Sequence, residues 1–260
     1  MDTLDRFSLK GRVALVTGGG GLYGREEVAA IAEAGATTYV GDFNIDAAEK
    51  VAAENRTLEF DVTAIQYDQS AEQSILSMRD TILARSGQID ILVNNAVLRP
   101  MKSFQDDAST FAESMKVNAT GLFMITRAIG DVMAERGSGS IINIGSIMGL
   151  IGLDPYNYRG TDMYGWVPEY FFHKGGMVNF TRFIGSYYGL RGIRCNCVCP
   201  GGHQVATHPE AFVRQYSEHT FLGRMANETD MKGPIVFLAS DASAYITGAI
   251  IPVDGGYVAR

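Results

Sequence analysis

No run of apolar residues in this chain approaches the roughly 18 needed to cross a bilayer. The opening Met1-Asp2-Thr3-Leu4-Asp5-Arg6-Phe7 also lacks the apolar core of a secretory signal. No membrane association is expected, and the reading is of a cytoplasmic protein. Positive charge is scarce too: 22 Lys and Arg stand against 29 Asp and Glu, a net charge of -7, and the basic residues do not cluster. Nucleic-acid binding draws on clustered cations that neutralise phosphates, so no such partner is expected. Cysteine is the third shortage. The three present fall together in Arg194-Cys195-Asn196-Cys197-Val198-Cys199, where alternation would put them on one face of a strand. With no His or fourth Cys at a zinc-like spacing they read as small apolar fillers, and no metal site is expected.

What is present suits one large α/β domain spanning 1–260, since 46% of the 260 residues are apolar and can supply a substantial core. Short runs rich in Val, Ile and Leu alternate with longer amphipathic stretches. Strands are predicted near 12–17, 37–42, 57–61, 90–94, 139–145, 192–198 and 248–252. Helices are predicted near 23–34, 45–54, 68–86, 107–136, 168–190 and 228–239. Strand-helix-strand repetition calls for a Rossmann-type, doubly wound parallel sheet, because each crossover must return over a face. Two stretches break the rhythm, near 150–168 and 200–222. The first is rich in aromatics among glycines and prolines, and the second carries His203, His208 and His219. Long irregular stretches of this kind inside a compact domain read as functional loops.

The first strand runs into Thr17-Gly18-Gly19-Gly20-Gly21-Leu22-Tyr23-Gly24. A glycine-rich turn from strand to helix lets the backbone approach a pyrophosphate while the helix N-terminus presents unpaired N–H groups. Asp42 closes the second strand about 20 residues on, where a carboxylate can accept ribose hydroxyls. The same carboxylate would repel the extra phosphate of NADP, and Gly41, Phe43 and Asn44 beside it offer no cation. NAD is the cofactor expected.

Tyr170 and Lys174 stand one helical turn apart, with Ser146 closing the apolar run Ile141-Ile142-Asn143-Ile144-Gly145 upstream. Residues at i and i+4 share a helix face, so an ammonium beside a phenol would ease its ionisation and make it a usable proton donor and acceptor. With these residues assembled, the chain resembles the short-chain dehydrogenase/reductase family from about residue 9 to the C-terminus. The resemblance lies in the glycine turn, Asp61-Val62, Asn94-Asn95-Ala96, Asn118, Ser146, the Tyr170 to Lys174 spacing, Pro200-Gly201 and Asp254-Gly255-Gly256.

That resemblance implies an alcohol–carbonyl oxidoreductase. Tyr170 would be the acid/base, and Ser146 would orient the reacting oxygen. Lys174 would bind the nicotinamide ribose and lower the Tyr170 pKa, and Asn118 would hold a water linking Lys174 to solvent. Asp61 and Val62 would flank the adenine, while Asn95 and Ala96 would line the cofactor channel with Pro200, Gly201 and His203. A homotetramer, common in the family, is expected.

Departures from the family pattern matter for mechanism. Leu22 replaces the middle glycine of the turn, Val97 follows Asn94-Asn95-Ala96, and Val205 stands where a threonine is usual. Ser146 and Tyr170 are 24 positions apart, an interval lengthened by a segment that includes Asp154-Pro155-Tyr156-Asn157-Tyr158-Arg159-Gly160-Thr161. Such an insertion must loop outward and could form a wall or lid of the substrate pocket. Its aromatic and polar residues suit a sugar, sugar acid or polyol, with Arg99, Arg159 and His208 as candidates to recognise an anionic group. The alternatives are a 3-oxoacyl thioester reductase, opposed by Asp42 and the acidic balance, and a silent NAD-binding regulator, opposed by the intact Ser146, Tyr170 and Lys174.

Overall fold

The computed structural model describes residues 2–259. Seven strands form one parallel sheet: β1 Val13–Thr17, β2 Thr37–Asp42, β3 Val62–Gln66, β4 Ile91–Asn94, β5 Gly139–Ile144, β6 Ile193–Pro200 and β7 Ile250–Val253. Their order is β3-β2-β1-β4-β5-β6-β7, so the chain reverses direction across the sheet between β1 and β4. A doubly wound sheet binds ligands at that switch point, beyond the carboxyl ends of its strands. The main helices are α1 Leu22–Glu33, α2 Ile45–Arg56, α3 Glu72–Ser86, α4 Ala108–Met115, α5 Leu122–Arg136, α6 Pro168–Gly189, α7 Glu210–Glu218 and α8 Lys232–Ala239. Among the described residues no helix is long and apolar enough to cross a membrane.

Alternate strand residues feed two cores. Ala14, Val16, Val40, Ile142, Ile144 and Val198 pack with Val28 and Ile31 of α1 and with Ile235 of α8. Leu15, Tyr39, Leu92, Ile141 and Cys195 pack with α3, α5 and α6. Full burial of one such aliphatic side chain contributes about 1.5–3 kcal/mol. Both faces are covered, which is why these strands read as continuous apolar runs.

The helices predicted over 68–86 and 228–239 begin four residues later, at Glu72 and Lys232, and three other predictions differ more. The third strand lies at Val62–Gln66 instead of near 57–61, because α2 runs to Arg56 and the chain then turns through Glu59 at φ 65°. Leu58, within the predicted strand, is exposed, and β3 is a half-covered edge strand of modest apolar content. The single helix predicted over 107–136 is two helices joined by a π-turn at Lys116–Gly121. A Cβ on Gly121 would collide with the Gln69 backbone, while the Gln69 amide donates to the Val117 carbonyl at 3.1 Å. Finally, the stretch 200–222 contains α7, whose Phe212, Val213 and Tyr216 share one buried face.

Candidate active site

The glycine turn is shaped by its first and last members. Gly18 has φ +61°, and a Cβ there would stand 2.7 Å from Ala96 Cα; a Cβ on Gly24 would strike the Gly18 carbonyl. Leu22 opens α1 with its side chain half exposed, so it extends outward while Gly21 keeps the turn by donating its N–H to Gly18 O at 3.0 Å. No side chain caps α1, which leaves the N–H groups of its first turn available to an anion. Thr17 Oγ1 accepts from Asn95 N at 3.0 Å and Ala96 N at 3.1 Å, fastening the ends of β1 and β4 together. Asp42 accepts from Gly20 N and Asn44 N, both at 3.0 Å, so its carboxylate is fixed beside the turn. These residues fit a nicotinamide dinucleotide laid across the ends of β1, β2 and β4.

Asp61 and Val62 do not belong to this crevice. They begin β3 instead of following it: Thr38 N donates to Asp61 O and Thr37 Oγ1 to Asp61 Oδ2, at the amino edge of the sheet. One strand length further on, Asp68 and Gln69 stand at the carboxyl end of β3, held by Ser70 N on Asp68 Oδ1 and by the Tyr67 hydroxyl on Gln69 Oε1. The early strand prediction concealed them.

At the end of β5 the catalytic candidates converge. Lys174, almost fully buried, donates its Nζ to Ile144 O at 2.5 Å. The turn Ser146–Gly149 sits directly on α6, since a Cβ on Gly149 would lie 2.6 Å from the Lys174 carbonyl oxygen. Ser146 Oγ accepts from Met148 N at 3.1 Å, which leaves its own proton free to donate. Lys174 Nζ is 5.8 Å from the Tyr170 ring centroid, and the Arg99 guanidinium lies over the same ring at 4.5 Å. His173 meets that ring edge-on at 5.3 Å. Burial, then Lys174 and Arg99, depress its pKa to about 3, so this imidazole is neutral. The Asn118 amide donates to Leu98 O and Ser114 Oγ and accepts from Leu98 N, and its NH2 group therefore has no proton left for a water.

The segment between Ser146 and Tyr170 loops outward and packs on α7 of its own chain. Asp154 caps a 3-10 turn at Pro155–Tyr158 and meets His219 at 2.9 Å. The Tyr156 hydroxyl donates to Glu218, and Asn157 Nδ2 donates to the Tyr257 hydroxyl at 2.7 Å. Tyr158, Phe212, Tyr216 and Tyr257 join Ile147 and Met148 in a cluster adjoining Ser146. Arg159 is not brought to Tyr170. Its backbone carbonyl accepts from Gln215, and its exposed guanidinium lies over Tyr156, because the residue faces α7. His208 likewise packs its ring on Phe212 at 5.1 Å.

Pro200 ends β6 beyond the last β5 pairing at Ile144 and Val198, where its missing N–H costs no ladder bond. Gly201 O accepts from the Tyr23 hydroxyl at 2.9 Å. The His203 side chain points to α1, where Nε2 is 3.0 Å from Glu26 Oε1, so only its backbone is free to face a cofactor. Glu26 and Glu27 escaped the sequence reading because a helix start rich in acids looks solvated, yet both are buried. Burial drives the Glu27 carboxyl up to about 8, against the pull of Lys174. Cys195, Cys197 and Cys199 are buried thiols, and among the described residues no group of ligating side chains could hold a metal.

A family model described as enoyl-(acyl carrier protein) reductase matches residues 23–258. The chain is 32% identical to galactitol 2-dehydrogenase (L-tagatose-forming) of Cereibacter sphaeroides, with 99% of each protein covered. It is 33% identical to 2-dehydro-3-deoxy-D-gluconate 5-dehydrogenase of Pseudoalteromonas atlantica, covering 99% of this chain and 100% of that protein. A crystal structure of a gluconate 5-dehydrogenase from Burkholderia cenocepacia, in complex with NADP and tartrate, matches with a TM-score of 0.89 at 29% identity over 100% of both chains.

Proposed function

The chain belongs to the short-chain dehydrogenase/reductase family, and from that membership we propose an NAD-dependent dehydrogenase that interconverts a secondary alcohol and a carbonyl on a sugar, sugar acid or polyol. The observation that carries this reading is the Lys174 ammonium on Ile144 O, which holds the Tyr170 helix against the strand end bearing Ser146. The names of the relatives support oxidoreductase chemistry on a CH–OH donor and the choice of substrate class.

In the oxidative direction Tyr170 accepts the substrate's hydroxyl proton, with the positive charges of Arg99 and Lys174 beside it. Ser146 donates its free O–H to the same oxygen and fixes its direction. Lys174 spends one of its three N–H donors on Ile144 and has two for a ribose and a water. With the Asn118 side chain committed to Leu98 and Ser114, a water relaying protons to solvent would rest on the backbone of the π-turn at 116–121. Bound NAD supplies the hydride acceptor. Gly18, Gly21, Leu22, Tyr23 and Gly24 would hold its pyrophosphate, Asp42 the adenosine ribose, Asp68 and Gln69 the adenine, and Asn95, Ala96, Pro200, Gly201 and the His203 backbone the nicotinamide half.

The fixed Asp42 carboxylate supports NAD over NADP, although one structural neighbour was solved with NADP. Exposed Phe123 on α5 with Phe172, Phe183 and Tyr187 on α6 supports assembly through these helices into a homotetramer. The test is NADH fluorescence during incubation with a panel of aldonates, uronic acids, aldoses and polyols. NADH formation with at least one carbinol is expected, and tight NAD binding with no turnover would favour a regulator instead.

A further inference from the structure

Arg99 is an exposed cation at the mouth of the site. Among the described residues no carboxylate lies within ion-pair distance of it, and its side chain rests on the Tyr170 ring face. A face-on contact uses none of the guanidinium's five N–H donors, which leaves its planar fork free beside the phenol that handles the substrate's proton. An unpaired guanidinium held there is a site for an anionic oxygen pair.

Tyr158 supplies the second part from the inserted segment. Its ring packs at 5.4 Å from Phe212, within the cluster that contains Ile147 and Met148 next to Ser146. Gly165 makes the close approach that seats it: a Cβ there would lie 2.6 Å from Tyr158 Cζ and 2.8 Å from its hydroxyl. That hydroxyl has no hydrogen-bond partner among the described residues. Burial, then the Tyr257 phenol, push its pKa up while Arg99 pulls it down, so it is a neutral donor within electrostatic reach of the guanidinium. Asp154, the nearest acid of the segment, is already engaged by His219 and by Tyr156 N.

We infer that Tyr158 and Arg99 together form a carboxylate subsite over Tyr170, making the preferred substrate a short hydroxy acid of the sugar-acid type. One fork and one phenolic O–H match a single negative charge. The other cation at the phenol, Lys174, is turned to Ile144 O, so a doubly charged phosphate would be left half-neutralised. A neutral polyol would leave the guanidinium unpaired. Tyr158 is a specificity residue contributed by the insertion, and this assignment rests on the dehydrogenase reading above.

Two readouts separate the subsite from that reading. The first is isothermal titration of the NADH-loaded wild-type protein, in which alcohols bind without turnover, using short aldonates and their matched alditols. At least one aldonate should bind about tenfold or more tightly than its alditol, the size expected for hydrogen bonds to a charged group. Tyr158→Phe, which keeps the ring packing, should cost about tenfold in aldonate affinity, and Arg99→Leu more, with alditol and NADH affinities unchanged. The second is kcat/KM with NAD for the same pairs, which Tyr158→Phe should lower for the acids alone. Equal binding of acids and alditols, or losses that strike both alike, would overturn the subsite even if NADH is produced. Acid-selective binding without turnover of any carbinol would uphold the subsite and defeat the dehydrogenase reading.

Discussion

His203 Nε2 and Glu26 Oε1 lie 3.0 Å apart, both side chains buried, and the other ring nitrogen faces Gln204 O at 2.9 Å. A carbonyl only accepts, so Nδ1 carries a proton and the contact with Glu26 shares one more. This bond and the Tyr23–Gly201 bond tie α1, the helix proposed to hold the pyrophosphate, to the segment after β6. Glu26→Ala should therefore raise KM for NAD about tenfold with kcat little changed, and Glu26→Gln should recover most of the loss. Steady-state kinetics with varied NAD checks this. An unchanged KM in Glu26→Ala would show the pair to be dispensable.

Glu27 makes stability depend on pH. Its folded pKa of about 8 lies above the ordinary carboxylate value, because burial favours the protonated form. The folded state thus binds the proton more tightly than the unfolded one. The stabilisation is complete below the unfolded pKa near 4.5 and is lost as pH rises through about 8. Every tenfold difference in proton affinity between the two states corresponds to about 1.4 kcal/mol. Glu27→Gln should remove this dependence, so that its Tm advantage over wild type widens between mildly acidic and mildly alkaline buffer. Thermal denaturation across that range gives the answer, and parallel Tm curves would refute it.

On the proposed NAD reading, Asp42 sets cofactor choice through charge. The carboxylate, oriented by Gly20 and Asn44, should make kcat/KM with NAD exceed that with NADP. Asp42→Ala should narrow the preference by about tenfold or more, chiefly through a lower KM for NADP. A wild-type enzyme that used NADP as well as NAD would remove this role from Asp42.

The aromatic stripe on α6 should be covered by another copy. Phe183 stacks on Phe180 at 6.3 Å and Tyr187 on Phe183 at 5.9 Å, yet Phe183 and Tyr187 are more than half exposed. Light scattering should give a tetramer for wild type and smaller species for Phe183→Glu. A monomeric wild type at micromolar concentration would contradict the assembly.

The sheet was legible because its central strands are buried on both faces: β1, β2, β4 and β5 fall within a residue or so of their predicted limits. The edge strand β3 was not, since half-covered edges need less apolar sequence, and Asp61 and Val62 therefore stand at its amino end instead of its carboxyl end. The Tyr170–Lys174 pair came from helical spacing and the role given to Ser146 from the family resemblance. The engagement of Glu26 with His203, the committed amide of Asn118 and the turning of Arg159 onto α7 could not be read from either. Each depends on which helix the side chain meets, and a linear pattern does not record that.

Production of NADH by wild type and by Tyr170→Phe, on the carbinol that wild type oxidises best, tests the central claim most directly. Removing the one phenolic oxygen should lower kcat by orders of magnitude while the Kd for NADH, read from its fluorescence, stays within about twofold. Near wild-type kcat in Tyr170→Phe would show that the proton is handled elsewhere and that the proposed site is wrong.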